Sequence, residues 1–467
     1  MTSPDRPAGR ETPPLKKALT TPLLFLFILG DVLGAGVYVL VGEVAAESGG
    51  AVWVPMLVAL ALALLTAASY AELATKYPSA GGAAHYTGRA FGPFAGFFTG
   101  FCMLSAGLVA VAGLARAFGG DYLAAFVTLP ATGVAVVFLG ALALLNLRGI
   151  SESVRANAVA TVVEAGGLLL IVGLGAWIAL RGDGHYADLT RLGTEGNGAA
   201  AAVLGGAVVA YYSFVGFEGS ANLAEETHDP RRSYPRALFA ALGTAGVMYV
   251  LVGLAAGIAL PTAELAGSSG PLLEVVDAAG GVPHRLFSAI ALVAVANGAL
   301  LTGIMASRLA YGMARDGLLP AGLARVLPRR RTPWAAIAVT TVLSMLLALT
   351  GDVTTLSSTL VLLLLVVFTG VNSAVLALRK DRVTADHFRV PRVVPALGVV
   401  SCVVLATQVE ADVWLRGLLV IGAGALLGGL AARRRGALRG TGKAGHAGGK
   451  VPGPRDDEPN ARRGTPS

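Results

Sequence analysis

Three acidic residues, Asp31, Glu164 and Glu218, stand inside otherwise apolar stretches of this 467-residue sequence. An ionisable side chain at membrane depth is costly, and it marks an ion, proton or substrate pathway. Two of the three sit where glycines break a span. Asp31 precedes Gly34-Ala35-Gly36 in "ILGDVLGAGVYVLVG", and Glu218 lies between Gly216 and Gly219 in "SFVGFEGSANL". Glycine costs ~1 kcal/mol relative to alanine in a helix interior, so such clusters are where a helix gives up its hydrogen-bond ladder. At membrane depth a break is tolerated only where it is buried in protein or lines a cavity. The freed backbone groups can recognise a zwitterion. A half-helix starting near Gly36-Val37 points N–H groups and a positive dipole end at the cavity, which suits a carboxylate. Carbonyls freed from Tyr212 through Ser213, Phe214 and Val215 suit an ammonium. Side chains at Gly34, Gly36 or Gly216 would fill the space these groups need.

The acids differ in setting. Glu218 opens the inner half of its broken helix, where the positive dipole end favours the charged form. Asp31 closes a half-helix at its negative end in apolar surroundings, which favours holding a proton. Glu164, in "SVRANAVATVVEAGGLLLIV", extends a small, polar stripe with Asn157, Ala160, Thr161 and Gly167 at three- and four-residue spacing. Asp31 and Glu164 lie nine and eight residues from the inner ends of their helices, or ~13.5 and ~12 Å at ~1.5 Å per residue. Matching depth predicts one coupling site made of Asp31, Glu164 and the Gly30 and Leu33 carbonyls. Two close carboxylates rarely ionise together in low dielectric, so the pair would hold a proton or a Na⁺; a Glu164 kept protonated against a carbonyl is the competing reading. Asn297 is a candidate for substrate binding or for a structural cross-helix bond, and Ser105 for the side-chain pocket. Asn222 and Glu225 continue the Glu218 face toward the inner exit, although Glu225-Glu226 can equally pair with Arg231 and Arg232.

The elements that must position these residues are membrane helices. Hydrophobic residues make up 55% of the chain and charged ones only 14%, against roughly a quarter charged in soluble domains. Mean hydropathy is +0.69. Twelve apolar runs are predicted as spans, at 22–46, 51–75, 94–118, 126–146, 156–180, 199–224, 237–260, 286–312, 334–350, 354–378, 393–409 and 413–431. With the N-terminus inside, 31 of the 36 Lys and Arg residues fall on the cytoplasmic side, a strong positive-inside bias. The net charge of +8 thus reports topology in a cell membrane with both termini cytoplasmic, and not nucleic-acid binding. Residues 1–20 are polar and Pro-rich, unlike a signal peptide. The stretch from 432 to 467 reads as a disordered tail. Cys102 and Cys402 lie in apolar runs and read as buried small hydrophobes, with no disulfide or metal site expected. No nucleotide-binding loop or metal-ligand cluster appears, so neither ATP drive nor a membrane enzyme is expected. No cofactor is expected beyond a coupling H⁺ or Na⁺, and the oligomeric state is left open.

The breaks fall in spans 1 and 6, five helices apart. An odd offset inverts one half relative to the other, and paired interruptions at corresponding positions are the pointer to a transporter's substrate site. Four stretches carry a family likeness: "GAGVY" at 34–38, "AELATKYPSAGGAAHYTGRAFGPFAGFFTG" at 71–100, "FVGFEGSANLAEETHDPRRSYPRAL" at 214–238 and "SRLAYGMARDGLLP" at 307–320. Over roughly residues 20–430 the chain resembles the amino acid–polyamine–organocation transporters, in particular the cationic amino acid transporter-like branch. The resemblance implies the leucine-transporter-type fold, with a first repeat over 21–180, an inverted second over 199–380, and two further helices over 393–431. It also implies alternating access around a midplane site for amino acids or related amines. Phe214 matches the family's aromatic gate, and plain packing explains it equally well. Several proton-coupled members place a lysine where this chain has Glu164, and in them helix 5 packs beside the inner half of helix 1. The sequence reads as an amino acid transporter, probed for proton coupling first, with an amino acid or polyamine exchanger and a nontransporting sensor on the same fold as alternatives. The stretch 261–281 is the longest outer loop and a candidate lid.

Overall fold

The computed structural model describes residues 20–426 except 79–80, 149–152, 194–197, 269, 317, 329, 331, 420, 423 and 425. The expected N-terminal tail, 1–20, except residue 20, and the expected tail 432–467 lie outside them, as do residues 420, 423, 425 and 427–431 of the expected twelfth span, 413–431. Among the described residues the α-helices run in chain order α1 Thr21–Leu33, α2 Ala35–Ser48, α3 Trp53–Lys76, α4 Gly82–Phe91, α5 Pro93–Phe118, α6 Asp121–Ala124, α7 Ala131–Arg148, α8 Ser153–Arg181, α9 Ala199–Tyr212, α10 Pro230–Ala259, α11 Thr262–Gly267, α12 Pro271–Ala279, α13 His284–Arg315, α14 Trp334–Thr350, α15 Val353–Ala377 and α16 Val393–Thr407, followed by a helical segment Ala411–Leu419. No strand occurs among the described residues.

Among the described residues seven helices are long and apolar enough to cross a membrane, or up to ten if each bent pair counts as one span. The chain punctuates them with familiar chemistry. Proline enters at the first turn of α1, α5, α10 and α12, where its missing N–H costs nothing. Asp352 caps α15 by accepting the Thr355 amide at 2.7 Å. Apolar side chains also cover the outside: Val137 on α7 is 74% exposed and Leu180 on α8 is 85% exposed. Apolar side chains exposed on long apolar helices belong against lipid.

Two spans are broken. Thr21–Leu33 and Gly36–Ser48 meet at 42°, and Ala199–Tyr212 meets the following 3-10 segment at 43°. That segment, Phe217–Glu226, replaces the expected inner half of an α-helix. Val393–Thr407 and Ala411–Leu419 differ by 114°, so the chain turns back there. The break of the first pair sits inside the molecule: α1 packs against α10 and α8, α2 against α9, and α5 against α13 and α15.

One face of the bundle carries a polar clasp. Glu72 at the end of α3 is buried, accepts from Arg379 at 3.0 Å and takes the Val390 amide at 2.9 Å. Lys76 donates to the Leu378 carbonyl. Beside them Asp381 accepts from Tyr77 at 2.8 Å and from Arg89 of α4 at 2.9 Å. Those hydrogen bonds hold the Asp381 carboxyl below its ordinary range, while burial and Asp381 push Tyr77 up to about 12. At the opposite face α11 and α12 fill most of the expected lid. α12 packs on α2, α8 and α13.

Candidate functional site

The two breaks face each other. At Gly34 the backbone leaves the helix, and α2 restarts with no side chain capping its first turn. Its first N–H groups thus have no side-chain acceptor at the N-cap. Gly36 abuts the other break so closely that a β-carbon there would lie 2.8 Å from Ser213 Cα and 3.1 Å from Ser213 Oγ. Across from it the chain passes through turns at 213–216 and takes φ +125° at Gly216, a region that L side chains rarely enter. A β-carbon at Gly216 would lie 2.8 Å from the Asp31 carbonyl oxygen and 3.1 Å from Asp31 Cγ. Each break thus needs a bare glycine because the other break occupies the space.

Asp31, Gly34, Gly36, Tyr212, Ser213, Val215, Gly216 and Glu218 line one cavity of about 110 Å³. A single water needs ~10–15 Å³ by the same kind of measure, so a small solute fits. The polar groups are few and specific. Glu218 folds back so that its Oε2 accepts the Gly216 amide at 2.9 Å. Ser213 Oγ is buried and makes no hydrogen bond. The Val32 carbonyl beside the first break is taken by the Tyr249 hydroxyl at 2.5 Å. The remaining walls are small or apolar, with Gly100, Met103, Gly107 and Ala110 of α5, Thr302 and Met305 of α13, and Leu360 and Leu364 of α15.

Other expected residues lie elsewhere. Phe214 is fully buried, edge-on to Tyr249 with ring centroids 5.1 Å apart, and does not line the cavity; Tyr212 is the aromatic that does. Ser105 is buried off the cavity wall. Asn297 sits behind the site and donates both amide hydrogens, to Asn157 Oδ1 and to Glu164 Oε1, each at 3.0 Å. Glu164 is 0% exposed, and its second oxygen has no partner. Gly30 faces this group, since a β-carbon there would meet Thr161 Oγ1. The carboxyl of Asp31, one residue on, lies instead against Gly216 and Gly219. Asp31 and Glu164 therefore look to different neighbours, and no described hydrogen bond joins them. Leu33 is buried and does not line the cavity. The side chains of Ala35, Glu225 and Glu226 lie outside the described residues.

The helix expected to line the side-chain pocket through Ser105, α5, does line the cavity, but through Gly100, Met103, Gly107, Ala110 and Leu114, which recur at helical spacing on another face. Asn222 does more than extend the Glu218 face: it also accepts the Gly81 amide at 3.2 Å. Past Asn222 the cavity meets a vestibule of about 900 Å³ between α4, α5 and α13, and both are lined by Gly81, Ala84, Gly100, Asn222, Met305 and Leu309. At the other end, contacts tie α2 to its neighbours. Tyr122 donates to the Tyr38 carbonyl, Thr354 bonds Glu43 at 2.9 Å, and Gly42 abuts the Leu265 carbonyl of α11.

Broken membrane helices that face a shared inner cavity define a membrane permease. The chain belongs to the amino acid permease family, whose profile matches residues 19–413. It is 31% identical over 400 residues to an uncharacterised transporter of Mycobacterium tuberculosis, covering 85% of this chain and 87% of that one. It is 32% identical over 392 residues to the vacuolar cationic amino acid transporter 4 of Arabidopsis thaliana, covering 78% and 64%. It is 27% identical over 440 residues to a branched-chain amino acid permease of Bacillus subtilis, covering 87% and 92%.

Proposed function

We propose that this protein is a secondary active transporter that moves amino acids across the cell membrane by alternating access, coupled to protons. The carrying observation is that the two helix breaks meet at one cavity, Gly36 on Ser213 and Gly216 on Asp31. There the amides of α2 suit a substrate carboxylate and the carbonyls of 212–215 suit its ammonium. The placing of these breaks five spans apart, with near-equal bends, supports the inverted five-plus-five arrangement followed by two helices. The positive-inside charge bias supports cytoplasmic termini, and on that reading the open vestibule faces the cytoplasm. Asp31 in the cavity and Glu164 behind it, with the Gly30 and Leu33 carbonyls, are the proposed coupling groups.

The test is uptake of a radiolabelled amino acid panel by proteoliposomes, at two pH values and with Na⁺ removed, for the wild type and Glu164→Gln. Expected is uptake that follows the pH gradient, survives Na⁺ removal, and loses its gradient dependence in the variant. Absence of any amino acid uptake, or an unchanged gradient dependence in Glu164→Gln, refutes the corresponding part.

A further inference from the structure

The cavity has an unbalanced charge inventory. Asp31 and Glu218 both line it, and no lysine, arginine or histidine among the described residues does. Both acids are held to one residue: Glu218 Oε2 takes the Gly216 amide, and the Asp31 carboxyl lies against the place where a Gly216 side chain would be. Their roles are unequal. Glu218 has a hydrogen-bond donor of its own at the start of a helical segment, where a fixed negative charge is favoured. Asp31 has no described donor and lines the cavity, with its carboxyl against Gly216 and Gly219. Ser213 Oγ, buried and unpartnered beside Gly36, marks the same space as built for a polar guest.

A zwitterion brings equal charges and leaves the cavity's acids uncompensated. Two carboxylates sharing a low-dielectric site do not both ionise unless a cation joins them. Every element against Asp31 adds to this demand or is neutral. The 3-10 segment presents Glu218, α8 carries Glu164, α10 presents the Tyr249 hydroxyl, and α13 presents Gly298, Thr302 and Met305.

Resting on the amino acid transport reading above, we infer that Asp31 takes either a proton or the cationic side chain of the substrate, one excluding the other. A neutral amino acid then travels with a proton that binds at the cavity from one side and leaves to the other. A cationic amino acid fills the same charge position itself and travels without one. The site therefore accepts both classes and moves the same net charge with each, and the proton count depends on the cargo.

The experiment uses proteoliposomes of the full chain with an internal pH dye and the membrane potential clamped, given radiolabelled L-leucine or L-lysine. Expected is proton entry with each leucine and none with lysine, while the charge moved per substrate is equal. In Asp31→Asn, lysine uptake should fall roughly thirtyfold or more, as when one partner of a buried charge pair is removed, and leucine-driven proton entry should vanish. Asp31→Glu, which keeps the charge, should restore the leucine-to-lysine difference in proton count and guards against a folding defect. Equal proton counts for the two substrates, or uptake of only one of them, would overturn the inference while leaving amino acid transport standing. Uptake of neither would remove both.

Discussion

At the scale of single residues, the site depends on what is missing. Gly36 and Gly34 are two positions apart, yet their surroundings differ. A β-carbon at Gly36 would meet backbone, Ser213 Cα, at 2.8 Å, whereas one at Gly34 would sit 3.4 Å from the nearest atom, the Asp31 carbonyl oxygen. Backbone cannot swing aside as a side chain can. Gly36→Ala is therefore expected to cut initial uptake by roughly tenfold or more, and Gly34→Ala by much less, since a forced backbone shift costs ~1–3 kcal/mol. Transport assays on both variants at matched expression check this, and equal losses would sink it. The acid–glycine juxtapositions were legible in the sequence because glycine and carboxylates are both anomalous inside an apolar run. Which way Phe214 points was not. It follows from the rotation of the turn at 213–216, which only the packing against Tyr249 fixes.

At the scale of elements, the short helix α4 joins two parts of the molecule. Its N-terminal end is tied to the 3-10 segment through Gly81 and Asn222, and its C-terminal end to the loop after α15 through Arg89 and Asp381. Because Tyr77 and Arg89 hold the Asp381 carboxyl below its ordinary range, the tie contributes stability above the unfolded value of about 3.9 and loses it as pH falls through the lowered folded value. The thermal unfolding midpoint in detergent should be higher for the wild type than for Asp381→Asn at neutral pH, and the gap should close in acid. A gap independent of pH would count against the tie. The sequence predicted the long spans well, since apolar length carries that information. It did not predict that Asn297 would fork to Asn157 and Glu164, because that contact depends on how α8 and α13 are turned toward each other. The inner half of the second broken span came out as a 3-10 segment. The Glu218 side chain, reaching back to Gly216, supplies a local alternative to α-helical bonding there.

At the scale of the whole molecule, the cavity meets a vestibule on one face, while contacts tie α2 to its neighbours at the other. A cysteine placed at Ala84, which lines both cavity and vestibule, should react with a membrane-impermeant thiol reagent from the vestibule side. The same reagent applied from the opposite face should react at least ~10-fold more slowly, as expected where a closed state dominates by about 1.4 kcal/mol. The native Cys102 and Cys402 are buried and supply little background. Equal rates from both faces would contradict the described asymmetry. Matched bends at two separated glycines, foreseen from sequence as paired interruptions, become at this scale a single shared surface. The vestibule was not foreseen, because it is the gap left between α4, α5 and α13 and belongs to none of their sequences.

The contact between Gly30 and Thr161 has a consequence for paired substitutions. A β-carbon at Gly30 would overlap the Thr161 hydroxyl, while the Thr161 β-carbon would lie 3.2 Å away. The two positions are therefore coupled: a methyl at Gly30 is expected to be better tolerated beside Thr161→Ala than beside Thr161, so the two changes should not add.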